Sequence, residues 1–438
     1  MRHFWGTRPL LLLLWLSVFL SSSAEELKLL PSEEDWTGST RRLKDMPLDK
    51  NGDWRLSLGG SARLQYESLS NVFEPFESDG YLLYRFTLHG DLRHRQSRLF
   101  VDLQSATASW LNEPSFLDSD DLFFHQLFVE QKIDNVALRI GRQELNYGIG
   151  RLVSVREGPN IRRSFDAIKV QLAASDDWDI DFLWGRPVQQ SFELFDNAPL
   201  TEDRTLAGIY SHGPGQEYYF LGYSDPSAKF QDVVGREDRY TLGAHWFGEE
   251  KSFDYDFELF YQFGNFDGQR IHAWSAASVI GYTFEEFPGQ PRVGLSANIV
   301  SGDHSPFDNE LNTFNALFPR GSYFGEIALL GPANLMDLHP GVSFELTPTL
   351  TLESRVDFFW RQSLSDGIYT PSGTEILSAG SSRARYIGAQ PDIMLIYEPS
   401  EHWRVSLDHS VFFPGAFVKA MGETETIQFT QASLKYRF

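Results

Sequence analysis

The feature that most restricts the fold is a two-residue hydrophobic period sustained over long segments. Between Phe253 and Phe263, the residues Phe253, Tyr255, Phe257, Leu259, Tyr261 and Phe263 fall on one side of an extended chain, with Asp254, Asp256, Glu258, Phe260 and Gln262 on the other. Between Leu352 and Arg361, Leu352, Ser354, Val356, Phe358 and Trp360 share a side opposite Glu353, Arg355, Asp357, Phe359 and Arg361. A strand separates such sets because its side chains alternate faces, whereas a helix would mix them. Runs of this length exceed an ordinary strand and match the roughly nine to eleven residues that cross a bilayer at a tilt.

The same alternation recurs near 54–66, 81–93, 97–104, 122–132, 136–142, 165–172, 177–185, 204–213, 216–224, 237–248, 252–263, 270–282, 290–302, 340–347, 349–361, 384–397, 402–412 and 427–438. This predicts an all-β chain, a transmembrane antiparallel β-barrel of about 18 strands. The connections support it. Short ones (Lys132–Val136, Ala173–Asp177, Gly213–Gln216, Gly248–Ser252, Glu398–His402) occur among long ones (143–164, 186–203, 303–339, 362–383). Short periplasmic turns and long extracellular loops are the construction of outer-membrane barrels, and an even strand number places both chain ends in the periplasm. Loop 303–339 carries Phe307, Phe314, Phe318 and Phe324, so it has apolar surface to plug the lumen or to form an exposed lid.

Composition agrees. Aromatic residues make up 15% of the chain, which suits two girdles at the lipid headgroups. Apart from the N-terminal segment, no apolar run is long enough for a spanning helix. The absence of Cys removes disulfides, thiolate metal sites and lipid attachment. A formal net charge of −22 argues against a nucleic-acid partner.

Three regions are expected. Residues 1–24 read as a secretion signal, with Arg2 and Arg8 before the apolar stretch Leu10–Leu20 and small residues Ser22, Ser23 and Ala24 at the cleavage site. Residues 25–53 read as a polar periplasmic leader. Its run Asp49–Asp53 begins like a calcium loop, but Trp54 stands where the loop needs Gly, so a turn is the better reading. Residues 54–438 form the barrel. The final strand places Ala432, Leu434, Tyr436 and Phe438 on one face, like the terminal signal read by the outer-membrane assembly machinery.

If the apolar faces meet lipid, the other faces line the lumen. Leu56, Leu58, Ala62 and Leu64 send Arg55, Arg63 and Gln65 inward; Tyr84, Phe86 and Leu88 send Arg85, Thr87 and His89 inward. By the same logic Arg139, Lys169, Arg355 and Arg361 point in, among the acids Asp102, Glu130, Glu353 and Asp357. Any one such charge can simply brace the wall. As a set, the cations outnumber the acids near them, and a pore lined by Arg and Lys favours anions. Loops 67–80 and 105–121 are acidic, which suits a hydrated surface or divalent cations shared with lipopolysaccharide, whereas loop 143–164 carries Arg151, Arg156, Arg162 and Arg163. The sequence has no Walker-type phosphate loop, no Gly-x-Ser-x-Gly elbow and no His-Glu-x-x-His metal motif, so a passive channel without cofactor or metal is expected rather than an enzyme.

The stretch Gly141-Arg142-Gln143-Glu144-Leu-Asn-Tyr-Gly-Ile-Gly-Arg151-Leu, followed by Arg162-Arg163-Ser-Phe-Asp166, resembles the hallmark of the alginate export family. The segment from Trp54 through Gly60, Arg63 and Tyr66-Glu67 is similar to that family's first strand. The resemblance spans residue 54 to the end and is most specific in the first third. It implies a Gram-negative outer-membrane barrel that passes alginate or a related uronate polymer, with an Arg-rich constriction selecting carboxylates. The inward cations above, and Arg142, would then be anion-binding. Periplasmic export partners are implied as well. A general porin for small anions or organic acids is the alternative reading.

Overall fold

The computed structural model describes residues 27–438 except 74–78, 112, 200–203 and 306–307. The expected secretion signal, Glu74, Glu77 and Phe307 therefore lie outside the described residues. The chain forms one closed antiparallel barrel of 18 long strands. In chain order they are β1 Trp54–Ser70, β2 Asp79–His94, β3 Ser97–Ser109, β4 Asp120–Ile133, β5 Val136–Gln143, β6 Phe165–Ser175, β7 Trp178–Gln189, β8 Thr205–Gly213 and β9 Gln216–Phe230. The second half comprises β10 Val233–Glu250, β11 Phe253–Phe266, β12 Gln269–Thr283, β13 Arg292–Val300, β14 Leu335–Thr347, β15 Leu350–Arg361, β16 Tyr386–Ser400, β17 Trp403–Pro414 and β18 Ile427–Arg437.

Each strand pairs with its sequence neighbours, and β18 closes the sheet on β1 from Ser61 opposite Arg437 to Ser70 opposite Gln428. The C-terminal Phe438 extends this seam by exchanging backbone hydrogen bonds with Gly60. Closure leaves no unpaired sheet edge, which lipid could not tolerate. The alternation sorts as expected. Leu64, Phe86, Leu88, Ile140, Ile168, Phe257, Leu259, Tyr261 and Leu395 are exposed on the outer surface, while Arg63, Arg85, Asp256, Glu258 and Asp357 are buried inside. An inverted arrangement would place charges against hydrocarbon at a cost of about 2–4 kcal/mol each.

Several strands run longer than the sequence expectation, and two of them do so through a proline. Strand β9 continues past Pro226 and β14 begins at Leu335, ahead of Pro340. A proline removes a ladder donor and reads as a strand end. Pro226 sits where the ladder slips, between Asp225 and Ala228, and Pro340 sits where the pairing with β15 lapses between Leu338 and Gly341 without a change of register, so each strand passes through.

The interior is filled. Segment 144–164 folds into the barrel and meets segment 301–334 there. Val153 bridges Phe318 in parallel, Ser154 and Phe318 donate to Phe318 and Leu152 carbonyls, and Arg320 donates to the Gly150 carbonyl. Phe314, Phe318 and Phe324 are buried, so the long loop plugs rather than lids the lumen.

Candidate functional site in the lumen

The inner loop 144–164 is held by one side of the wall through a single carboxylate. Glu157 accepts from Arg85 at 2.6 Å and Lys435 at 2.8 Å, with Arg162 at 3.3 Å. Arg63 caps the same turn, donating to the carbonyls of Glu157, Gly158 and Pro159 at 3.0–3.1 Å. Burial alone would raise the Glu157 carboxyl, but Arg85, Lys435, Arg162 and Arg63 together hold it well below its usual range. Nearby Asn160 is fully buried and donates to the Tyr84 and Asp118 carbonyls. These contacts bind the loop to β1, β2 and β18.

The opposite side grips the same loop with acids. Arg151 reaches Asp256 at 2.8 Å and Glu258 at 2.7 Å on β11. Tyr147 stacks on Tyr210, which stacks on Tyr219, and their hydroxyls donate to Asp181, Glu217 and Glu258 respectively. The backbone lets the loop turn this tightly because Gly148 and Gly150 take positive φ values of 54° and 79°. Those motif glycines have a conformational reason to be glycine.

Where the two inner segments meet, cations are left without carboxylates. Arg163 donates only to the carbonyls of Ser154 and Pro319 and lies over the Phe318 ring. Arg320 lies over the Tyr323 ring, and no carboxylate pairs with it or with Arg156 among the described residues. Arg156 is drawn into the same place, its side chain beside Gly321. Desolvation pushes Arg156 down to about 10 against the pull of Asp118, lowers Arg163 together with neighbouring Arg156, and lowers Arg320 together with Arg151 and Arg355 against Tyr323 and Glu326. Arg320, Arg151, Tyr323 and Arg355 line a cavity together with Glu326, Glu353 and Asn298. A second cavity of about 1170 Å³ opens on the loop side, between Tyr223, Thr313, Asn315, Pro319 and Tyr369.

The residues anticipated from sequence divide into three groups. Arg63, Arg85, Arg139, Lys169, Arg355 and Arg361 face inward, but each has partners. Arg139 pairs with Glu130 at 2.6 Å, Lys169 with Asp181 at 2.7 Å, and Arg355 with Glu326, Asp357 and Asp392 at 3.2–3.4 Å. Arg361 donates to backbone carbonyls of Leu364, Asp366, Ser382 and Ala384 and covers the Phe417 ring, a purely structural use. Arg55 pairs with Asp45 of the leader at 2.6 Å. Asp102 and Asp357 are buried in the lumen, the latter 2.6 Å from His339, and Glu353 lines the cavity with Arg355.

Arg142 is a correction. The register places it in the row of Ile140 and Ile168, the outward row, opposite Asp166. There it forms a two-pronged pair with Asp166 at 2.9 and 3.0 Å and reaches the Asn197 carbonyl, so it ties the end of the wall to a loop instead of lining the lumen. Gln143 is buried, bonded to the Ala167 carbonyl. Gly141 has φ +130° and an added Cβ would strike the Leu127 carbonyl. Sequence alternation missed His125. Leu127 and Val129 point outward, so His125 should too, but β4 bulges at His125, which is skipped where Asp102 and Leu103 face Gln126 and Phe124, and the ring turns inward onto Glu144 at 2.7 Å. Glu144 also binds Arg162, completing the motif's internal ties.

This bracing of a loop by Gly141–Glu144, Arg151 and Arg162 agrees with the family comparison, in which the alginate export profile matches residues 54–430. The chain belongs to the alginate export family. No curated protein matches it. Solved structures with the same fold include OccK2 (OpdF) of Pseudomonas aeruginosa in complex with glucuronate, at 11% identity and TM-score 0.59, covering 87% of this chain and 98% of that one. OpdK of the same organism, with vanillate, aligns at 12% identity and TM-score 0.57 over 87% and 98% of the two chains. A BenF-like porin from Pseudomonas fluorescens Pf-5 aligns at 8% identity and TM-score 0.59, again over 87% and 98%. These are outer-membrane porins, and this chain is a Gram-negative outer-membrane β-barrel of a channel-forming family. The turns therefore face the periplasm and the long loops the exterior.

Proposed function

We propose that this channel passes an anionic, carboxylate-bearing polysaccharide, alginate or a related uronate polymer, by passive transport. The observation that carries the reading is that Arg156 and Arg163 of one inner segment and Arg320 of the other form no ion pair with a carboxylate among the described residues. All three side chains are half-buried; partial desolvation of an unpaired guanidinium is costly, and an anion in transit would relieve that cost. A planar guanidinium binds carboxylate in two-pronged fashion, and several spaced cations let a polyanion pass from one to the next without trapping.

One observation favours the small-anion alternative. The inner segments leave separate cavities in the lumen rather than one open bore, and two fold neighbours were solved with glucuronate and vanillate. Planar-bilayer recording separates the readings. The polymer channel should be anion-selective and blocked by oligogalacturonate at concentrations where monomeric glucuronate has no effect. Cation selectivity, or equal block by monomer and oligomer, overturns it.

A further inference from the structure

Beneath the inner loop, the leader does not hang free below the barrel. Leu27, Leu30 and Trp36 are buried, and Pro31–Glu33 forms a short 3-10 turn inside the mouth. Cations of the wall and loop hold its backbone. Arg437 donates to the Leu27 and Lys28 carbonyls, Arg162 to Leu29 at 3.0 Å, Arg98 to Ser32 at 2.9 Å and Arg93 to Glu34 at 3.2 Å. The leader also brings acids. Asp35 pairs with Arg93 at 2.8 Å, and Glu33 projects into a cavity of about 1120 Å³ shared with Lys132, Arg139, Lys169 and Tyr147. Glu34 is buried against Trp36, whose indole N–H donates to it at 2.9 Å and whose ring Lys44 covers at 4.5 Å.

We propose that this acidic segment, Leu27–Ser39, is an internal competitor for the cargo: it occupies the periplasmic cation site that first receives the polymer's carboxylates, and it lifts out as the polymer threads. The argument rests on the proposed function for the nature of the cargo. Three features support it. The Asp35 carboxylate sits on Arg93, and leader carbonyls sit on Arg98, Arg162 and Arg437, which belong to the wall or inner loop rather than to the leader. Arg162 ties this site directly to the loop that carries Arg156 and Arg163. A tethered ligand of this kind acts at millimolar effective concentration, so it excludes weak ligands while yielding to a multivalent one.

The test compares the full chain with a variant lacking Leu27–Ser39 and with Trp36→Ala, each checked for barrel assembly by heat-modifiable migration. Excision should raise single-channel conductance at least about twofold and let oligogalacturonate added from the periplasmic side block at about tenfold lower concentration. Trp36→Ala should shift both in the same direction by less. Equal conductance and equal block in all three proteins overturns the competitor while leaving the proposed cargo intact. If oligogalacturonate blocks none of them, the cargo reading fails and the competitor role falls with it, whatever the conductance does.

Discussion

The two halves of the lumen wall are built from the same alternating strands yet carry opposite charge. The wall formed by β18 and β1–β6 presents Arg63, Arg85, Arg93, Arg98, Arg139, Lys169, Lys435 and Arg437, with Asp91, Asp102 and Glu130 among them. The wall formed by β9–β16 presents Glu217, Glu237, Asp254, Asp256, Glu258, Asp337, Asp357 and Asp392, with Arg239, Arg292 and Arg355 among them. The expectation that cations outnumber acids therefore describes one half of the wall. The inner loop spans the two halves and uses complementary charge at each contact, Glu157 toward the basic side and Arg151 toward the acidic side. A loop bearing one sign of charge could not be fixed in this way. Having satisfied both walls, it leaves Arg156 and Arg163 without a carboxylate partner among the described residues, as Arg320 is on the other inner segment.

The contrast can be broken most severely at Glu157. Glu157→Gln removes the counter-charge of fully buried Arg85, and breaking a buried pair costs about 3–5 kcal/mol, an upper range here because a third of the Glu157 side chain stays exposed. The loop should detach from the basic wall, detected as tryptic cleavage at Arg156, Arg162 or Arg163 and as a noisier, larger current. Continued protease resistance would show that the turn is held by Arg63 and Asn160 instead. On the acidic side, Arg151→Met leaves Asp256 and Glu258 without that cation. His245, 2.7 Å from Asp256, and Tyr219, donating to Glu258, stay in place. The loss should be about 2–4 kcal/mol by the same assay.

Acid should act on the two mouth elements with opposite sign. The seated Glu157 carboxyl titrates well below 4.5, so its contribution to loop seating is complete above that ordinary value and is lost as pH falls through the depressed one. Burial raises Glu34, so the seated leader takes up a proton more readily than the free leader. Its seating strengthens as pH falls through that raised value. Conductance should therefore first fall and then rise as the periplasmic side is acidified from neutrality, a biphasic curve that excision of Leu27–Ser39 reduces to the rise alone. A curve unaffected by excision would remove Glu34 from the account.

Smaller effects test the centre and the outside. Arg320→Ala should lower the anion preference by about 1 kcal/mol, the size of one charge interaction near water, without altering assembly. Arg142→Ala should leave selectivity unchanged and cost less than about 1 kcal/mol of stability, since its pair with Asp166 is partly exposed on the outer row. A selectivity change in Arg142→Ala would contradict the register.

The sequence by itself determined the barrel, its even strand number, the short turns and which face of each strand meets lipid. Those properties follow from a two-residue period, which is local and fixed by backbone geometry. It also marked loop 143–164 as the basic loop, because charge composition is local too. Tertiary structure alone decided which inward cations are spent. Arg63, Arg139 and Arg361 look alike along the chain, yet one holds a loop turn, one a wall carboxylate and one backbone carbonyls. It also decided the outward register of Arg142, the bulge that turns His125 inward, and the seat of the leader beneath Arg162. Each of these depends on partners dozens to hundreds of residues away, brought together only when the sheet closes and its loops fold back into the space it encloses.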